Sequence, residues 1–257
     1  MSCREDRKRK GTVMKQHEAV IEVMKGNGGY ATLGFLYQNV LKVQDCKWNT
    51  RTPFASIRRI VQDDRFFFKI RPGLWALKTE KNRLPDDILP QAKQPETKND
   101  EYSHTYYQGL LVEIGNLRRY QTFVPSQDRN KRYLGKKLCD VVAIREMYRF
   151  SYEHVVNIAQ TVDVMWFNER KMPAGLFEIE HSTDMHRSLL KFVELQDFFT
   201  NFRIVADEVR RREFQGKVSL RAFSAINRRV EFWCYEDVAK LHSKTSEYAS
   251  IEARMNL

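Results

Sequence analysis

The chain has 257 residues, is 42% hydrophobic and carries a formal net charge of +11. That size and apolar content suit one large or two small domains, and no run of about 18 apolar residues marks a membrane helix. The opening MSCREDRKRKGTV lacks the apolar stretch of a secretory signal, and Cys3, Cys46, Cys139 and Cys234 form no CxxC pair; free thiols of this kind suit a reducing cytoplasm, the expected location.

The charge is unevenly spread. Residues 1–83 hold 18 Lys+Arg against 8 Asp+Glu, whereas residues 84–257 hold 26 against 25. A small, strongly basic front module is expected to seek phosphate backbones. Within it, RKRK at 7–10 reads either as a nucleic-acid contact or as a solvated tail.

In chain order, HEAVIEVMK (17–25) has apolar residues at helical spacing, and the glycines from Gly26 stop it. TLGFLYQNVLKV (32–43) predicts a second helix. TPFASIRRIVQDD predicts a third, with Thr52 as N-cap and Pro53 in the first turn. RFFFKI and LWALK, joined through Arg71-Pro72-Gly73, predict a hairpin. Three helices and a hairpin make a winged helix, whose third helix can enter a major groove. Phe54, Ile57, Ile60 and Val61 share one face of that helix, and Ser56, Arg58 and Arg59 fall elsewhere.

The stretch 15–79 resembles the HARE-type helix-turn-helix family. Pro53, Phe66, Pro72, Gly73, Trp75, Ala76 and Leu77 match its TP-initiated helix, Arg-Phe strand and closing strand. The resemblance implies a module that binds double-stranded DNA; Arg51, Thr52, Ser56, Arg58, Arg59 and Arg71, on the third helix and the wing, are the expected contacts. A winged helix used only for protein contacts is the alternative.

Residues 84–103 hold Pro85, Pro90 and Pro95 among polar residues and read as a linker between domains at 1–83 and 104–257. Beyond it, YYQGLLVEIGNLRRY (106–120) predicts a helix, QTFVP (121–125) a strand, and SQDRNKRYLGKKL a basic loop. That loop reads as a DNA-backbone clamp through Arg129, Lys131 and Arg132, or as plain solvated chain. VDVMWF and AGLFEIE predict strands. STDMHRSLLKFVELQDFFTNF predicts a helix capped by Ser182 or Thr183. FRIVADE, DEVRRREF, VEFWCY and EDVAKLH predict strand, short basic helix, strand and helix. This is an α/β plan around a mixed sheet. No GxxxxGK[ST] is present, which argues against nucleotide hydrolysis.

Three acids interrupt the apolar strands. Glu178 and Glu180 alternate with Phe177 and Ile179, so they share a face, and Asp163 sits on the preceding strand. Buried together without partners they would be costly, and a hard divalent cation such as Mg²⁺ would compensate them. The competing reading is a wet strand face, paired with Lys171 or Arg187.

The order of a helix with Glu113, a strand with Asp163, a strand with Glu178-Ile179-Glu180, then a helix and a strand is similar to the PD-(D/E)xK nuclease superfamily. The resemblance implies a restriction-endonuclease-like αβββαβ domain that cleaves phosphodiesters with one or two Mg²⁺ ions. It implies Asp163 and Glu178 as metal-binding acids and Glu113 as a supporting acid. Glu180 stands where the superfamily most often has lysine; it would be a general base or a further metal ligand, with Lys191 a candidate to supply the missing cation. His181 falls on the opposite face and reads as packing. Duplex cleavage usually needs two active sites, which is the reason to expect a homodimer. A degenerate nuclease fold that only binds DNA is the alternative function.

Overall fold

In a computed structural model the described residues are 14–90, 96–182 and 184–255, so the RKRK tail lies outside them. The front of the chain forms α1 (Gln16–Gly26), β1 (Tyr30–Thr32), α2 (Leu33–Asn39), α3 (Pro53–Ile60), β2 (Phe67–Arg71) and β3 (Leu74–Leu77). The strands form an antiparallel sheet in the order β1-β3-β2. β1 has no counterpart in the sequence reading: three residues are too few for alternation to show. α3 opens with Pro53 as expected, but the Thr52 side chain makes no capping hydrogen bond.

The remainder forms α4 (Glu96–Leu117), β4 (Gln121–Phe123), β5 (Arg132–Tyr133), β6 (Lys136–Lys137), α5 (Glu153–Ala159), β7 (Val164–Phe167), β8 (Pro173–Glu180), α6 (Met185–Glu194), β9 (Asn201–Ala206), α7 (Arg211–Val218), β10 (Val230–Cys234) and α8 (Tyr235–Met255). The main sheet runs β10-β9-β8-β7-β4. β8 pairs parallel with β9 and antiparallel with β7, so the molecule is mixed α/β.

Three segments differ from the sequence reading. The expected linker ends early, because α4 starts at Glu96. No proline follows Pro95 until Pro125, so nothing breaks that helix. The basic loop contains the small β5–β6 hairpin. α8 runs far beyond the expected EDVAKLH. Its serines are poor helix formers, but Ser246 and Ser250 each donate to the carbonyl four residues back, and Ser246 is buried. The cap of α6 is Asp184, which accepts from His186 N–H at 2.9 Å, and not Ser182; Thr183 lies outside the described residues.

The packing explains how the front of the chain is held. Tyr30, Leu74 and Ala76 share one buried cluster with Tyr106, Leu110, Val238 and Ala239, so apolar surface is continuous across the 84–103 segment. Leu84 and Ile88 of that segment are buried in the same cluster. Gly34 of α2 lies so close to α8 that a Cβ there would meet Ser246 Oγ at 2.5 Å and His242 Cε1 at 2.8 Å. The other face of the main sheet packs Leu176, Phe202 and Ile204 under Leu189 and Phe192 of α6. Each such fully buried side chain contributes about 1.5–3 kcal/mol.

Candidate active site at the end of the central sheet

β8 is interior to its sheet, and both Glu178 and Glu180 are buried. Strand alternation sends Phe177 and Ile179 into the cluster that contains α4. It sends Glu178 and Glu180 toward α6. There Ser188 Oγ donates to Glu178 Oε2 at 2.8 Å and also contacts Glu180 Oε1. One hydroxyl has one proton, so it serves both carboxyls at once only if one of them is protonated.

Lys191, one turn further along α6, also reaches in. Its Nζ lies 2.9 Å from both Glu178 oxygens and 2.8 Å from the Thr161 carbonyl oxygen. A cation therefore stands beside Glu178, although the residue two positions along β8 is an acid.

Asp163 immediately precedes β7. Val164 pairs with Phe177, so one further step along the register sets Asp163 beside Glu178. Asp163 Oδ2 accepts the Ile179 N–H at 2.8 Å. Its Oδ1 faces His104 Nε2 of α4 at 3.7 Å. Gln108, one turn along α4 from His104, donates Nε2 to Asp128 Oδ2 at 2.8 Å and to the Asp163 carbonyl oxygen at 3.0 Å. Lys131 lies 2.8 Å from Asp128 Oδ1.

The site thus gathers Asp128, Asp163, Glu178 and Glu180 against Lys131 and Lys191 among the described residues. The electrostatics follow from that imbalance. Burial pushes the Glu178 carboxyl up to about 8, and the Asp163 charge adds to the shift while Lys191 and Ser188 oppose it. Burial likewise raises Asp163 to about 7, against the pull of the Ile179 N–H and Lys191. Burial lowers His104, which keeps the imidazole lone pair available. Oxygen donors in excess of positive charge fit a hard divalent ion. His104, Asp128 and Asp163 offer ligand atoms that all lie within 4.8 Å of one another.

Asp163, Glu178 and Glu180 therefore meet at one sheet end. Glu113 does not join them. It lies five residues beyond Gln108, on another side of α4, and its Oε2 is 2.6 Å from His242 Nε2 of α8. His181 packs between rings, with Nδ1 2.6 Å from Tyr235 Oη, as the sequence reading has it.

The basic residues divide in a similar way. Arg71 is turned inward: it donates to the Ile88 carbonyl at 3.3 Å and lies over the Tyr106 ring, and burial lowers its pKa. Expecting it as a DNA contact misses that the hairpin packs on α4. Arg58 is engaged as well, with Nη1 2.8 Å from Glu247 of α8 and 3.1 Å from Tyr37 Oη. Arg51, Thr52, Arg59 and Arg132 are exposed, and Ser56 is half-buried with Oγ against the Thr52 carbonyl. Arg129 lies over the Phe123 ring and lines a cavity with Ser126, Arg149 and Gln160. Lys131 is half-buried and held by Asp128 within the site itself.

His104, Gln108, Asp128 and Ser188 are absent from the sequence-level site. His104 and Gln108 share a helix face by their four-residue spacing, and Asp128 is the lone acid of a basic loop. Those signals are visible, but only the tertiary fold joins them to Asp163.

No helix among the described residues is long and apolar enough to cross a membrane. No solved structure matches the chain significantly. The type II restriction enzyme NmeDI of Neisseria meningitidis serogroup C is 26% identical over 150 residues, covering 54% of this chain. The chain spans 42% of that relative's length. The family described as the type II restriction enzyme NmeDI C-terminal domain matches residues 84–254, a span that contains every acid of the site. By that match the chain is restriction-enzyme-like and belongs to the type II restriction enzyme NmeDI C-terminal domain family.

Proposed function

We propose that this protein is a Mg²⁺-dependent, restriction-type endonuclease that hydrolyses phosphodiester bonds in double-stranded DNA. The observation that carries the reading is the convergence of half-buried Asp163 and buried Glu178, both pushed toward protonation, at the end of a sheet whose elements run α4-β4-β7-β8-α6-β9, with β5, β6 and α5 inserted between β4 and β7. That order is the αβββαβ plan of the PD-(D/E)xK resemblance. Family membership supports the restriction-type assignment.

In this reading Asp163 and Glu178 hold the ion, and Glu180 is a further ligand or a proton acceptor. When bound, Mg²⁺ would supply positive charge to the scissile phosphate and acidify a nearby water. Lys191 takes up the task that the superfamily assigns to the lysine of the motif. Its ammonium, beside Glu178, would oppose the negative charge that develops on phosphorus. Glu180, coupled to Glu178 through Ser188, would receive a proton from the attacking water. Glu113 is left with a structural role.

Residues 14–83 would act as the HARE-type winged helix, with Arg51, Thr52 and Arg59 of the third-helix region and Arg132 of the second unit facing DNA. A homodimer would bring two such sites to the two strands. One observation favours a second reading, a nuclease fold that binds DNA without cutting: Glu180 stands where the motif has lysine. The position of Lys191 weighs against it.

The test is incubation of the purified protein with unmodified and cytosine- or adenine-methylated phage DNA, in Mg²⁺ or EDTA, beside Glu178→Ala. Discrete bands in Mg²⁺ alone, absent with the variant, are expected. Tight, salt-sensitive binding with no cleavage of any substrate would establish the second reading.

A further inference from the structure

The motif acids are only half of the donor set at this sheet end. Glu178 is already served by Lys191 on both oxygens and by Ser188. Asp163 is not: Oδ2 takes the Ile179 N–H, while Oδ1 faces His104 Nε2 at 3.7 Å. That gap is longer than a hydrogen bond. It is shorter than the roughly 4 Å that separates two ligands on opposite sides of one ion, each about 2.0–2.2 Å away.

Asp128 completes the triangle, with the three donor atoms within 4.8 Å of one another. Lys131 and Gln108 each engage one of its oxygens, which fixes the plane of the carboxylate. Each oxygen retains a second lone pair. Gln108 supplies an independent sign that something is to be bound here. Its side chain is fully buried, and its Nε2 is committed to Asp128 and to the Asp163 carbonyl oxygen. Its Oε1 has no hydrogen-bond partner among the described residues. An orphaned buried amide oxygen is costly, and a hydrated cation in the cluster would satisfy it.

We infer that His104, Asp128 and Asp163 form a divalent-cation site with one nitrogen donor, on the α4 side of Asp163, and that it binds Mn²⁺ more tightly than Mg²⁺. Mg²⁺ favours oxygen ligands, and an imidazole shifts preference toward first-row transition ions. The inference shares Asp163 with the proposed nuclease reading but places the tightest ion away from Glu178. Neither His104 nor Asp128 belongs to the strand motif from which that reading starts.

Pulsed electron paramagnetic resonance of Mn²⁺ bound to the full chain tests the point without any assay of activity. The wild type should show ¹⁴N modulation from one directly coordinated imidazole. His104→Asn should remove it and weaken Mn²⁺ binding, measured by calorimetry, roughly tenfold or more. Asp128→Asn should weaken binding comparably, and Glu178→Gln should keep the nitrogen signal. Melting curves in EDTA check that each variant is folded. Mn²⁺ bound without a nitrogen signal, or lost in Glu178→Gln but retained in His104→Asn, would overturn the inference and leave the nuclease reading standing. Absence of Mn²⁺ binding would overturn it as well. A nitrogen signal in a protein that cuts no DNA with any cation would uphold the site and defeat the nuclease reading.

Discussion

Two acid clusters flank α4, and they are built on opposite principles. At one, Glu113 meets His242 of α8 at 2.6 Å. Burial pushes that carboxyl up, but the His242 hydrogen bond and charge outweigh it, and the net shift is downward. At the other, burial wins: it raises both Asp163 and Glu178, and neighbouring carboxylates add to the shift against the pull of Lys191. A buried charge that is paired has a structural explanation in its partner. A carboxyl that burial pushes toward protonation in spite of its partners is held in place at a cost, and such perturbed groups are where binding and catalysis are sought. In the proposed reading Glu113 serves the docking of α8 and Asp163 the chemistry.

The largest expected effect that sharpens this contrast is on Lys191. Lys191→Ala should lower the rate of DNA cleavage by about 10²–10³-fold, measured under single-turnover conditions, with DNA affinity preserved. A variant that cuts at the wild-type rate would remove Lys191 from the mechanism. The paired cluster should respond in stability instead. His242→Ala removes the nearest partner of the partly exposed Glu113 and should cost about 1 kcal/mol in urea unfolding. Unchanged stability would show the pair to be incidental.

A third prediction concerns pH. In the metal-free protein Asp163 and Glu178 have folded pKa values above their unfolded ones, so the folded state keeps protons that the unfolded state releases. Their contribution to stability must therefore fall as pH rises from about 4 to about 8. Melting in EDTA should drop by roughly 3–6 °C across that window and recover on adding Mg²⁺. Glu178→Gln should flatten the profile. A melting point that climbs steadily with pH would refute the assignment. The smallest effect is on the basic face. Arg59→Ala should reduce the salt slope of DNA binding by about 1. Arg71→Ala should leave that slope unchanged and lower stability, since its guanidinium is buried on Tyr106.

Much of this was readable in the residues, for identifiable reasons. Period-two alternation put Glu178 and Glu180 on one face and Phe177 and Ile179 on the other, and the packing of β8 agrees. Proline and glycine marked the start of α3 and the β2–β3 turn. What was not readable depends on distant contact. Nothing local to Glu113 announces His242, 129 positions away. The inward turn of Arg71 arises from packing against α4, and the retention of Arg58 arises from Glu247 at the far end of the chain. The length of α8 was hidden because its serines bond back to their own helix, which propensity alone does not anticipate.

The most direct test of the central claim compares Asp163→Asn with Glu113→Gln in one plasmid-cleavage assay with Mg²⁺, at matched amounts of folded protein. Asp163→Asn should not cleave, and Glu113→Gln should cleave near the wild-type rate. Cleavage by Asp163→Asn, or its loss in Glu113→Gln alone, would contradict that claim.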